Sequence, residues 1–200
     1  MIALFNIPYV LLTWMIVQWY IPELSIQQLN YDIVRNGKVV GKLVSTKSSG
    51  PDLNEYVTES DVKIDIIFSI QVYTKVQSKF NKGILSEGRY LRRVNGKDRK
   101  NATIYWDADR YYIKEPNETA IFKSKIYYTT ACLMHEEPVG LQHIFSENFS
   151  QFITVKPAGP HKYVLVLPDG NENYYTYSNG KCTEAVVSTS LATVYIRLKK

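Results

Sequence analysis

Cysteine is scarce in this 200-residue chain: only Cys132 and Cys182 occur, and no C-x-x-C pair is present. Metal or redox chemistry through a C-x-x-C thiol pair is therefore not expected. The signatures of the common nucleophiles and phosphate binders are absent too, with no G-x-S-x-G elbow and no P-loop ending in Gly-Lys-Ser/Thr. The H-E-x-x-H spacing of a metalloprotease helix is missing, because His135-Glu136 is followed by the next histidine only at position 143. Charge is absent from residues 1–21, and no Lys or Arg precedes Arg35. Strand–helix alternation of the Rossmann type, internal repeats and low-complexity linkers are all lacking.

The uncharged start bears on the compartment. Tyr9–Val17 reads YVLLTWMIV, an apolar core of the length found in secretory signals, and the polar sequence begins near Glu23. A basic start and an A-x-A-like cleavage triplet are missing. Asn6, Pro8 and Gln18 also interrupt the run of roughly 20 apolar residues that a spanning helix needs. Export with removal of residues 1–24 is the expectation. A retained N-terminal anchor, a buried helix and a misplaced start are the alternatives. Membrane contact, on this view, is made only through residues 1–21, and only if they are kept.

What the chain does have is alternation. From Asn54 to Phe80 the even positions carry Tyr56, Val62, Ile64, Ile66, Phe68, Ile70, Val72, Val76 and Phe80. The odd positions between them carry Glu59, Asp61, Lys63, Asp65, Gln71, Lys75, Gln77 and Lys79. A period of two with one apolar face is the mark of antiparallel β structure. As one strand the stretch would exceed about 80 Å, so it must fold back, and Ser69–Val72 is the expected place.

Turn signals support the same class. Asn36-Gly37, Asn95-Gly96, Asp169-Gly170 and Asn179-Gly180 are pairs that tolerate positive φ in tight hairpins. They predict strands near 28–35, 38–47, 84–94, 99–106, 162–168, 172–178 and 181–187, with a last strand from Val186 to Leu198. Asp107 and Asp109 could suggest paired glycosidase carboxylates, but a tight turn between strands 99–106 and 110–115 explains them more simply. One short helix is expected over 124–135, capped by Ser124 and stopped by Pro138 and Gly140, where Glu136–Gly140 turns the chain into a strand at Phe149–Val155. Residues 25–200 read as a single mainly β domain: a strongly curved antiparallel sheet, half-barrel or open barrel, with that helix across it.

Composition narrows the partners. The net charge is +5, and the densest basic run, Arg89 to Lys100, centres on Asn95-Gly96. A solvated hairpin accounts for it, and no recognised nucleic-acid module accompanies the charge. Sixteen tyrosines suit half-exposed sheet faces, which have a large apolar body to cover and a hydroxyl to keep wet. Asn101, Asn117 and Asn148 fit N-x-S/T, a pattern that arises often by chance.

Several segments carry a resemblance. They are Tyr31-Asp-Ile-Val-Arg-Asn-Gly-Lys-Val-Val-Gly41, Tyr56 with Ser60, Glu137-Pro138-Val139-Gly140, Ile144-Phe145-Ser146-Glu147 and Tyr175-Thr-Tyr-Ser-Asn-Gly-Lys-Cys182. Across most of 28–198 the chain resembles a family of exported bacterial proteins known only as a domain of unknown function. That family is distantly similar to periplasmic lipoprotein-carrier half-barrels, whose sheet curls around a helix. The resemblance implies a fold and a cell-envelope or periplasmic location, and it brings no catalytic residue with it.

The functional expectation follows from the fold. A curved sheet with an apolar concave face can enclose a hydrophobic or lipid-like ligand, and Ile64, Ile66 and Phe68 would line core or cavity. The alternative is a structural or interaction module using a tyrosine-rich face; a hydrolase is the third possibility. His135, Glu136, Glu137 and His143 are the nearest thing to a metal cluster, but Pro138 breaks any helix joining them. No metal, cofactor or catalytic residue is assigned. Cys132 and Cys182 are compatible with a disulfide in an exported protein, or with two buried thiols.

Overall fold

The computed structural model describes residues 24–65, 68–189 and 192–200. Fourteen antiparallel strands form one sheet. The first eight are β1 (Ser25–Arg35), β2 (Lys38–Ser49), β3 (Leu53–Asp65), β4 (Ser69–Asn81), β5 (Ile84–Val94), β6 (Lys97–Asp107), β7 (Arg110–Glu115) and β8 (Glu118–Phe122). The other six are β9 (His143–Ser146), β10 (Gln151–Gly159), β11 (Lys162–Val166), β12 (Glu172–Ser178), β13 (Lys181–Ser188) and β14 (Thr193–Leu198). Their spatial order is β8-β7-β6-β5-β4-β3-β2-β1-β14-β13-β12-β11-β10-β9. The chain thus starts in the middle, meanders outward to β8, crosses to the opposite edge at β9, and winds back until β14 pairs with β1. The seam reads Tyr31↔Leu198 and Ile33↔Ile196.

Strand twist curls so wide a sheet. Its two ends come into side-chain contact: the Phe122 ring on β8 lies 6.3 Å from Phe145 on β9 and 5.6 Å from Phe152 on β10. The sheet is open, with no β8–β9 ladder. The segment from Lys123 to Gln142 carries the chain from one edge to the other, and it runs through the inside of the curl. There it supplies Ile126, Ala131, Cys132, Leu133 and Met134 to the core.

The expected alternation holds within β3 and β4, with even residues facing each other in register as Val62↔Val72, Ile64↔Ile70 and Tyr56↔Ser78. The reversal comes earlier than expected, since Ser69 already pairs with Asp65. Asn36-Gly37, Asn95-Gly96 and Asn179-Gly180 all take positive φ at both positions, as hairpin turns of their type require. Lys82-Gly83 forms a fourth such turn, which its lysine concealed.

Three expectations are corrected. The stretch Val186–Leu198 is two strands, because Thr189 and Ala192 hydrogen-bond across a turn, N–H to carbonyl at 3.0 Å. The helix is a 3-10 helix over Thr130–Met134 only. Residues 124–128 stay irregular because their backbone serves the sheet: the Ile126 carbonyl accepts from Leu85 N–H at 2.8 Å, and the Tyr128 carbonyl accepts from Phe145 N–H at 3.0 Å. The strand expected at Phe149–Val155 begins only at Gln151, after a turn.

Candidate functional site

The inner segment is held by glutamates. Glu147 follows β9 and is fully buried. Its carboxylate accepts from Ser78 Oγ at 2.6 Å, Thr130 Oγ1 at 2.5 Å and the Ala131 N–H at 3.3 Å. Thr129 Oγ1 donates in turn to Ser78 Oγ at 3.0 Å. A buried carboxylate is tolerated when its lone pairs are met by well-placed donors, and here three donors from β4 and the 3-10 helix meet them.

Glu136 and Glu137 reach to opposite halves of the sheet. Glu136 accepts from Lys47 Nζ on β2 at 2.7 Å and forms a short hydrogen bond with the Tyr56 hydroxyl on β3. Its carbonyl accepts from Tyr128 OH at 2.5 Å. Glu137 accepts from Tyr163 OH on β11 at 2.8 Å and faces His161 Nδ1 at 3.1 Å. Pro138 stops the backbone from continuing as a helix, and Gly140 turns it at φ +73°. The two adjacent side chains therefore clasp the inner segment between the sheet's two arms. Burial and the neighbouring carboxylate both push the Tyr56 hydroxyl well above its ordinary range, so Tyr56 acts as a donor at neutral pH.

His135 is buried beside this clasp. Its Nδ1 lies 3.2 Å from Gln27 Oε1, and its Nε2 has no hydrogen-bond partner of normal geometry. Burial lowers its pKa to about 4, with Lys47 adding to the effect and the Ser45 main chain opposing it. It is thus a neutral imidazole at pH 7.

The four residues His135, Glu136, Glu137 and His143 are not brought together as one centre. His143 sits exposed at the start of β9. Among the described residues no group of three or more His, Cys, Asp or Glu side chains could hold a metal ion. Asp107 and Asp109 flank Ala108, whose φ of +54° makes the turn, and Asp109 is bound by Arg110 at 2.6 Å.

Of the three residues expected to line a cavity, Ile64 is buried and borders an open hollow of about 560 Å³ shared with Val40 and the β1–β2 turn. Ile66 lies outside the described residues. Phe68 is corrected: it stands 79% exposed in the β3–β4 turn, because the strand that carries the alternation ends at Asp65. Of the two readings left open for the cysteines, the structure has the buried thiols and no disulfide between Cys132 and Cys182. Cys132 belongs to the core cluster under β3–β7 and Cys182 to the cluster under β1, β2 and β9–β14, and both are free thiols. Burial pushes the Cys182 thiol up to about 12 and Cys132 higher still. Thiolate is the reactive form. Neither cysteine should therefore react with Ellman's reagent within minutes at pH 8 in the native protein, and both should react in denaturant. Rapid titration of one thiol without denaturant would contradict this packing.

The tyrosines divide. Tyr31, Tyr56, Tyr111, Tyr175 and Tyr177 are core residues, and Tyr31 donates to the Cys182 carbonyl at 2.9 Å. Tyr105 and Tyr112 stack on the outer face at 5.3 Å, with Lys114 5.1 Å from the Tyr105 ring. The basic run is the solvated β5–β6 hairpin, with Arg93 paired to Asp98 at 2.6 Å and Lys100 to Glu115 at 3.2 Å.

These features define an open, nearly all-β, barrel-like protein whose curl is threaded by its own chain. Residues 31–199 match the model of a domain of unknown function, DUF6134, and the chain belongs to that family. Its fold is similar to that of a crystallised beta-barrel-like protein of the domain of unknown function DUF1849 from Brucella abortus. The TM-score is 0.55 at 12% identity, covering 90% of this chain and 98% of that one. No curated protein matches the chain.

Proposed function

We propose that this is an exported cell-envelope protein that works as a non-enzymatic interaction scaffold, through the outer surface and rims of its curled sheet. The observation that carries the reading is the filled interior. Where a carrier would keep a hollow for its ligand, Ile126, Leu133, Ile144 and Phe145 pack to complete burial or nearly so, fixed by the Glu136, Glu137 and Glu147 bonds. A lipid-like ligand inside the curl would have to displace that segment and leave a buried carboxylate and its donors unmet. The surface hollows are a different matter. Four of about 500, 370, 560 and 320 Å³ lie along strands and turns, and Glu136, Glu147 and Phe145 line none of them.

Export is the part of the proposal drawn from the uncharged residues 1–21 and their apolar run. N-terminal sequencing and fractionation of protein made in its native host test it, and recovery from the cytosol would defeat it. The scaffold reading is tested by organic extraction of purified protein followed by mass spectrometry. The expected result is no lipid or other hydrophobic compound near one mole per mole. A stoichiometric lipid whose removal lowers the melting temperature would restore the carrier.

A further inference from the structure

The sheet rim where β1 begins carries exposed apolar side chains of a kind a folded surface rarely groups. Leu24 and Leu53 flank Gly50: a Cβ there would lie 3.8 Å from Leu24 Cδ1 and 3.5 Å from the Leu53 carbonyl, to which Gly50 N–H donates at 2.7 Å. Ile26 shares the outward face of β1 with Leu24. The three are 59%, 59% and 66% exposed for Leu24, Leu53 and Ile26. Main-chain bonds bring two further pieces of chain to this end of the sheet. Lys82 N–H donates to the Asp52 carbonyl at 2.7 Å, and Leu85 N–H donates to the Ile126 carbonyl at 2.8 Å. Tyr127, next to Ile126, is 65% exposed.

We propose that this rim docks on a lipid bilayer, with Leu24, Ile26, Leu53 and Tyr127 entering the headgroup boundary. The inference rests on the scaffold reading and names the partner of its outer surface. Three observations favour a bilayer over another occupant. The chain enters β1 at this rim directly after a segment without a charge before Glu23, which contains the run Tyr9–Val17. Kept as an anchor rather than removed, residues 1–21 end at Ile21, three residues before Leu24 and within a reach of about 10 Å, and so bring this rim to the surface with them. The second observation is composition: branched aliphatic side chains with a tyrosine and exposed lysines match the order of environments across an interface. The third is charge. Lys82, Lys123 and Lys125 offset Glu23, Asp52 and Asp107, while Asp109 is held by Arg110, so the rim presents no net negative charge to anionic lipid. The opposite rim, at Asn36-Gly37 and Asn95-Gly96, carries polar turns, with Val39 and Phe68 as its exposed apolar side chains.

The full chain would be labelled with an environment-sensitive fluorophore at Leu53→Cys or, on the opposite rim, at Lys97→Cys; the native thiols are buried and spared. Each is mixed with phosphatidylcholine vesicles with and without 30% phosphatidylglycerol. The expected result is a blue shift at position 53, larger with phosphatidylglycerol, and none at position 97. A Leu24→Ser/Ile26→Ser/Leu53→Ser variant with an unchanged melting temperature should bind at least roughly tenfold more weakly. Equal behaviour of the two labels, or unchanged binding of the triple variant, overturns the proposal. That failure leaves the scaffold reading standing if extraction still finds no stoichiometric lipid, whereas a lipid recovered from the interior defeats the scaffold reading whatever the labels report.

Discussion

Glu147→Ala is expected to cost about 3–5 kcal/mol of unfolding free energy, a large share of the roughly 5–15 kcal/mol a domain of this kind holds. The carboxylate is fully buried and serves three donors at once. Truncation leaves Ser78 and Thr130 hydroxyls and the Ala131 N–H facing a void that offers no acceptor. Glu147→Gln should cost less, since an amide oxygen still accepts two of these bonds while its NH2 must find a new partner. The Glu147→Ala/Ser78→Ala double variant should fall short of the summed single effects, because the two deletions remove one shared bond. Urea unfolding followed by circular dichroism measures all three. Additive losses, or a Glu147→Ala midpoint within error of the parent, would mean that the network does not hold the segment.

The network also shows where the sequence was legible and where it was not. Strands β3 and β4 could be read because each pleat carries one face to the core and one to water, so Tyr56, Val62 and Ile64 alternate with Glu59, Asp61 and Lys63. Asn-Gly pairs could be read because few other residues accept two successive positive φ values. The inner segment obeys neither rule. Its backbone bonds go to partners far along the chain, Leu85 for Ile126 and Phe145 for Tyr128, so local propensity for a helix from Ser124 was overridden. No motif singles out Glu147, which appears only as the end of the segment Ile144-Phe145-Ser146-Glu147. Its only local signal was that it follows consecutive apolar residues, which on an edge strand implies burial on both faces. Glu136 and Glu137, beside His135 and near His143, are the nearest thing to a metal cluster in the sequence, but Pro138 leaves no helix to join them, so no metal is assigned. In the fold they diverge just past the 3-10 helix, where the Glu136 N–H still donates to the Cys132 carbonyl at 2.9 Å, and each side chain serves a different arm of the sheet.

That divergence gives the curled sheet a mechanical consequence. An open sheet whose ends meet through side chains, Phe122 with Phe145 and Phe152 and Ser150 Oγ donating to Glu115 at 2.9 Å, could unroll, since no ladder joins β8 to β9. The segment between the edges opposes unrolling by binding β2 and β3 through Glu136, β4 through Glu147, and β11 through Glu137. The rims are then carried on a curl whose inside is fixed, which suits a scaffold whose partners meet its outside.

Acid should loosen the same clasp through His135. Its folded pKa of about 4 lies below the ordinary 6.5, chiefly from burial, so the unfolded chain binds the proton more tightly. A depressed folded pKa contributes stability that is fully present above the unfolded value and is lost as pH falls toward the folded one. The window is therefore about pH 6.5 down to about 4, and the loss at its lower end is about 3 kcal/mol. Lys47 and Lys181 face the imidazole with the same sign it would acquire, and Glu136, already engaged with Lys47 and Tyr56, opposes them only in part. His135→Gln keeps a side chain that can meet Gln27 and removes the titration. Urea midpoints measured at intervals from pH 7.5 to 4 should fall more steeply for the parent than for this variant, the two curves converging as the imidazole protonates. Carboxylates elsewhere titrate equally in both proteins, so the difference between the curves isolates His135. Parallel curves would show that His135 is solvated in the folded protein and that the mouth of the curl, between β1, β2 and β3, is wetter than its packing indicates.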